Sequence, residues 1–149
     1  MAIEYIDPTE NDYPVLFVIV RNDIPSMNSG KAEAHSGHAA SKFVYDTAVG
    51  VKKPTKKVDE WLKAADGFGT QINLDGSLED IIAIEHYLNN HTDGDHGITY
   101  SRVTDPTYPW FNPITNELML REEVTAFYIF GMKSNKILST VTQHMRLKP

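Results

Sequence analysis

Six consecutive apolar residues, Val15-Leu16-Phe17-Val18-Ile19-Val20, set the first constraint on this chain. A run without polar alternation and rich in β-branched side chains suits a strand covered on both faces, so a packing layer is needed on each side. Val124 to Phe130 has the same character, while Thr70 to Leu74 and Ile98 to Thr104 are shorter strand candidates between Gly or Asp punctuation. Helical patterns separate them. Lys31 to Tyr45 follows Asn28-Ser29-Gly30 and carries the small residues Ala32, Ala34, Gly37, Ala39 and Ala40. Lys56 to Ala65 sets Val58, Trp61, Leu62 and Ala65 on one stripe. Ser77-Leu78-Glu79-Asp80 has the form of a capping box before a helix whose Leu78, Ile81, Ile82, Ile84 and Leu88 are expected to face inward. This alternation predicts an α/β fold, a three-layer sandwich around a small mixed sheet of about four strands. The expected organisation is an N-terminal extension over 1–13, one domain over 14–131, and a C-terminal tail over 132–149. In the tail, Ile137, Leu138, Val141 and Met145 outline a final helix.

Composition removes several kinds of chemistry. The absence of cysteine excludes disulfides, thiolate metal sites and thiol nucleophiles. A chain of 149 residues can bury roughly 70% of its unfolded surface, so its core needs no metal or disulfide. No stretch reaches the ~18 to 20 apolar residues of a membrane span, and Met1 to Tyr13 is acidic and polar rather than signal-like, so a cytoplasmic location without membrane partners is expected. The 14 Lys and Arg against 20 Asp and Glu leave a net charge of −6, which argues against a dedicated nucleic-acid binder.

The densest chemical signal is Arg21-Asn22-Asp23-Ile24-Pro25-Ser26-Met27-Asn28-Ser29-Gly30-Lys31, running into Ala32-Glu33-Ala34-His35-Ser36-Gly37-His38. It lies at the carboxyl end of the first buried strand, where α/β sheets bind ligands and a helix start offers free N–H groups to an anion. Lys31 in the first turn opposes the helix dipole, a placement that suits an arriving phosphate or carboxylate. His35 and His38 follow at i+4 and i+7 on the same helix face. Taken singly, Lys31 reads as a solvated lysine and His38 as a satisfied core histidine; the joint placement favours a site. A nucleotide-binding P-loop is rejected, because Pro25 stands where its first glycine belongs and Ala32 replaces its Ser or Thr.

This stretch resembles the class II peptidyl-tRNA hydrolases, the archaeal and eukaryotic type. Their signature is a strand ending in Arg-x-Asp, a Met- and Gly-containing loop, then Gly-Lys and a helix reading roughly Ala-Ala-Gln-Cys-Ser-His-Ala. Here Arg21, Asp23, Gly30, Lys31, His38 and Ala39 occupy matching positions, with one extra loop residue. Val103-Thr104-Asp105 resembles the strand end carrying the family's aspartate, and Val124-Thr125 to Gly131 its last strand. The resemblance covers about Val15 to Gly131 and implies that family's fold and cleavage of the ester between peptide and tRNA, with no cofactor. It implies roles in binding or catalysis for Lys31, His38, Asp105 and Thr125. Lys31 can stabilise a phosphate or an oxyanion, and Asp105 can orient a water or the lysine. We place Lys31, His35, Asp105 and Thr125 in the candidate catalytic set, with Arg21, Asp23, Ser29, Gly30, His38, Tyr108 and Trp110 as candidate ligand contacts. Dimers are common in the family, so a homodimer is a further expectation.

The departures suggest a second reading. The family's Gln, Cys and Ser become His35, Ser36 and Gly37. Its Ala-Gly-x-Thr-x-Ile after the aspartate becomes Pro106-Thr107-Tyr108-Pro109-Trp110-Phe111-Asn112-Pro113, a stiff aromatic loop. Tyr108, Trp110 and Phe111 can stack on a base or ribose, or simply pack over the sheet edge. The rival reading is therefore a non-catalytic binder of a small nucleotide or phosphorylated ligand, such as a viral protein sequestering a host signalling nucleotide. A protein-interaction module using the tail is a third.

Two other constellations carry less. His86, His91, Asp93, Asp95 and His96 offer metal-type donors without any zinc spacing and read as a helix end and loop, so no metal is expected. Lys52, Lys53, Lys56, Lys57 and Lys63 form the one basic run, read as a solvated helix face that can also meet tRNA phosphates. Ser36 lacks the strand-turn-helix elbow of a serine hydrolase.

Overall fold

The computed structural model describes residues 12–25, 27–50, 52, 56–92 and 97–148. Most of the expected N-terminal extension, together with Ser26, Lys53, Asp93, Asp95 and His96, lies outside the described residues.

The apolar run forms β1 (Pro14–Arg21) at the centre of a mixed sheet. Leu16, Val18 and Val20 point into one core, and Val15, Phe17 and Ile19 into the other. This is the period-two alternation of a strand with helices on both faces. The first core also takes Ala32, Ala39 and Phe43 of α1 (Ser29–Ala48) with Val58 and Trp61 of α2 (Lys56–Lys63). The second takes Ile81 and Leu88 of α3 (Leu78–His91) with Leu138 of α4 (Lys136–Thr142).

β1 pairs in parallel with β2 (Gln71–Gly76) and antiparallel with β4 (Leu118–Met132). β4 pairs in turn with β3 (Thr99–Phe111), and β2 with the two-residue β5 (Arg146–Leu147). Among the described residues the sheet therefore has five strands, in the order β3-β4-β1-β2-β5, rather than about four. The added strand comes from the expected tail, whose helix is α4 and whose end turns back beside β2, with Lys148 Nζ 2.8 Å from Asp75 Oδ1. A two-residue strand has no pattern to detect.

The larger difference concerns the aromatic segment after Asp105. It is not a loop but the second half of β3, paired across register shifts with an equally extended β4. β3 is an edge strand, where Pro106 and Pro109 remove no central hydrogen bond. Asn116 makes the hairpin turn in the left-handed region, at φ 57°, a conformation asparagine tolerates.

Local signals set the helix starts. Asn28 caps α1, its side chain accepting from the Lys31 N–H at 3.0 Å. Ser77 and Asp80 form the complete capping box of α3. Within α3, Ile81 and Leu88 are buried, but Ile82 is exposed, because it lies one residue round from the stripe that meets the sheet.

Candidate functional site

At the carboxyl end of β1 the chain turns through Asn22 to Asn28 into α1, whose first turn contains no acidic residue. The contrast with α3 is chemical: Glu79 and Asp80 occupy its first turn, and Asp23 Oδ2 accepts the Leu78 N–H at 3.2 Å. Carboxylates thus already meet the positive end of α3, whereas α1 presents Lys31 and its own N–H groups.

The face of α1 that begins with Lys31 runs into β3. Lys31 Nζ stands 5.7 Å from the centre of the Tyr108 ring. The His35 ring lies 5.6 Å from Tyr108 and 5.1 Å, edge-on, from His38. His35 is buried, and its Nδ1 has no hydrogen-bond partner; Tyr108 is fully buried, and its hydroxyl has none either. Burial, then the neighbouring His38, hold the His35 pKa below the ordinary imidazole value against an upward pull from Asp105, with Lys31 adding a smaller downward push. Asp105, half-buried at an irregularity of β3, accepts the Thr107 N–H at 2.9 Å. Where α1 faces β3, an ammonium, an imidazole held toward its neutral form and a phenol thus meet, with the Asp105 carboxylate acting on the imidazole electrostatically. Such a set can bind an anion, polarise a carbonyl and accept a proton from water.

Other expected residues lie elsewhere in the network. Arg21 is buried, with Nε 2.8 Å from Asp23 Oδ1, Nη2 3.1 Å from Asp23 Oδ2, and Nη1 bonded to Glu123 and to the Val124 carbonyl. Arg21 and Asp23 are thereby engaged in tying β1 to β4 and to the start of α3. Thr125 is fully buried, and its hydroxyl donates to the Val103 carbonyl at 3.4 Å. Ser29 and Gly30 are the exposed first residues of α1, and a Cβ on Gly30 would meet only Asn28 Oδ1, at 3.5 Å. Ser36 exchanges hydrogen bonds with Asn73 and Gln71 of β2, which commits it to the sheet.

Trp110 continues the wall formed by Tyr108, the two rings meeting edge-on at 6.4 Å. The guanidinium of Arg121 covers the Trp110 ring at 3.8 Å and is held by Glu123 Oε2 at 3.1 Å. Arg121 and Glu123 carried no motif in the sequence; only the β3–β4 register, which sets Tyr108 opposite Arg121, brings them here.

Of the basic run, Lys57 pairs with Glu60 at 3.2 Å, and Lys52 lies 5.7 Å from the Tyr100 ring. Among the described residues no group of three His, Asp or Glu is arranged to hold a metal, and no helix is long and apolar enough to cross a membrane. His86 instead bonds Asn90, and His91 stacks on Tyr87 with ring centres 3.9 Å apart.

No family model and no curated protein matches the chain. Among solved structures it is similar to a protein of unknown function from Agrobacterium tumefaciens, at 12% identity and a TM-score of 0.45, over 91% of this chain and 98% of that one.

Proposed function

We propose that this chain is a divergent class II peptidyl-tRNA hydrolase-like protein that cleaves the ester between a peptide and tRNA at the Lys31 end of α1. The reading includes that family's fold for the α/β domain. The observation that carries it is the meeting of Lys31, His35 and Tyr108 within 5.7 Å ring contacts, beside Asp105, at an α1 start free of acidic side chains. In this mechanism Lys31 and the helix N–H groups stabilise the oxyanion that forms as water adds to the ester carbonyl. His35, kept toward its neutral form by burial, takes the proton from that water. Asp105 holds the imidazolium that results, which returns the proton to the ribose oxygen of the tRNA as the tetrahedral intermediate collapses and the ester C–O bond breaks. Labelled peptidyl-tRNA should release free peptide, and Lys31→Ala or Asp105→Ala should slow that release by about 100-fold or more. Well-folded protein with no turnover overturns the proposal.

One observation favours the second reading, a non-catalytic binder of a small nucleotide. Thr125, which stands where the family's threonine does, is fully buried with its hydroxyl on a strand carbonyl rather than open to the site. A thermal-shift series with mono-, di- and cyclic nucleotides separates the two, since a tight ligand raises stability by RT ln(1 + [L]/Kd). A clear shift without turnover selects the binder.

A further inference from the structure

Beside the Lys31 cluster the hairpin walls an open cavity. Trp110 pairs with Met119 across β3 and β4, and Tyr108 with Arg121, so these four side chains share one face. Trp110, Met119 and Arg121, with Pro25 from the β1–α1 connection and Asn116 from the hairpin turn, line a cavity of about 680 Å³. That falls within the ~300 to 1,000 Å³ of small-molecule sites. The Trp110 ring forms part of its wall, while the indole Nε1–H is buried without a hydrogen-bond partner. Tyr108 links this cavity to the Lys31 cluster, its ring 6.4 Å from Trp110 and 5.7 Å from Lys31 Nζ.

We infer that this cavity is a nucleobase subsite, taking the base of a nucleotide whose phosphate or ester lies at Lys31. The indole and guanidinium planes of Trp110 and Arg121 form a stacking platform, a surface on which a flat, electron-rich ring gains dispersion and cation–π attraction. Arg121 selects against a cationic ring. The Asn116 carboxamide in the cavity lining offers both a donor and an acceptor to the edge of a base, which a hydrocarbon ring cannot use. The anion falls to Lys31 because, among the described residues, it is the lysine whose ammonium stands over Tyr108, and because Arg121 is engaged with Glu123. The position of the phosphate rests on the reading of the Lys31 end given above; the base contact stands on the cavity alone.

Tryptophan fluorescence of the full chain tests this directly. Trp61, the other indole, is buried against α1 with its Nε1 on the Thr70 carbonyl and serves as a constant background. Adenosine should quench Trp110 saturably, and AMP should do so at about tenfold lower concentration. Lys31→Ala should bring AMP to the level of adenosine and leave adenosine unchanged. Arg121→Gln should weaken both by about tenfold or more, and Trp110→Phe should abolish the quench, with unfolding curves confirming that each variant is folded. A short RNA with a 3′ adenosine set against AMP names the source of the base: tighter RNA binding selects an RNA end, tighter AMP binding a free nucleotide, and both support the subsite. The inference is overturned if adenosine does not saturate, if Arg121→Gln binds it as wild type does, or if N-acetylphenylalaninamide binds as tightly as adenosine. Turnover of peptidyl-tRNA without adenosine binding removes the base subsite alone. Adenosine binding without turnover removes the hydrolase alone.

Discussion

The Tyr128 hydroxyl donates to Asp46 Oδ2 at 2.6 Å, joining the middle of β4 to the last turns of α1 deep in the first core. Lys42 Nζ, one helical turn back from Asp46, completes the pairing at 3.0 Å. Tyr128→Phe leaves the Lys42 pair intact and removes one charge-assisted hydrogen bond, a loss of about 1.5 to 3 kcal/mol in urea unfolding. Burial, and then the Asp46 carboxylate, push the phenol pKa up. Because the folded value is raised, this stabilisation is fully present below the unfolded pKa of ~10 and is lost as pH rises beyond it. Alkaline unfolding monitored by tyrosinate absorbance should therefore show a gentler pH dependence in Tyr128→Phe.

Arg21 illustrates a cation whose loss is felt in several elements together. Replacing it with Met strands Asp23 and Glu123 without their shared partner, at a cost of about 3 kcal/mol. Lysine should not rescue the loss, since one ammonium cannot reproduce a fork that grips two carboxylates and a carbonyl. The hydrogen bond from Arg21 outweighs burial and holds Asp23 below the ordinary carboxylate pKa. Its stabilisation is thus present above ~3.9 and disappears as pH falls through the lowered folded value. Urea midpoints measured down through this acid range should fall less steeply in Arg21→Met.

For His35 the folded pKa is depressed, so folding opposes protonation and stability drops as pH falls below ~6.5. The charges facing the ring are Lys31 and His38 from α1 and Asp105 from β3. His35→Gln should flatten the melting temperature between neutral and mildly acidic pH. If His35 also serves as the base for ester cleavage, the same substitution removes the acid limb of the rate profile as well as most of the rate.

Gly69 presses against Trp61: a Cβ at this position would sit 2.1 Å from Cδ2 of the indole. That ring is buried and anchored on the Thr70 carbonyl at 2.8 Å, so it cannot withdraw cheaply. Gly69→Ala should cost about 1 to 3 kcal/mol or more, with a red-shifted Trp61 emission in the folded state. An unchanged urea midpoint would show that the indole moves freely.

Much of this fold was legible wherever burial wrote a pattern. β1 and β4 were visible because strands covered on both faces must be continuously apolar, and α3 because its capping box precedes a spaced apolar stripe. The outer half of the hairpin was not, since Pro106 and Pro109 argue against a strand unless one already knows that it lies at an edge. The same gap concealed part of the site. Lys31, His35 and His38 share a helix face by spacing alone, and resemblance pointed to Asp105. The burial of Tyr108 beneath that face and the placing of Arg121 on Trp110 depend on strand register, which no local pattern specifies. The pairing of Arg21 with Glu123 is likewise set across the sheet and leaves no local pattern.

The central position of β1 has a kinetic consequence. During synthesis this strand emerges well before β4: Arg21 at its end meets Glu123 only 102 residues later, and β2 alone cannot cover its second edge. Even with β2 in place, a six-residue apolar stretch keeps one edge unpaired until β4 is made. Such distant pairing slows folding and leaves a sticky segment exposed meanwhile. Truncation before β4 should accordingly yield aggregates rather than a smaller folded unit.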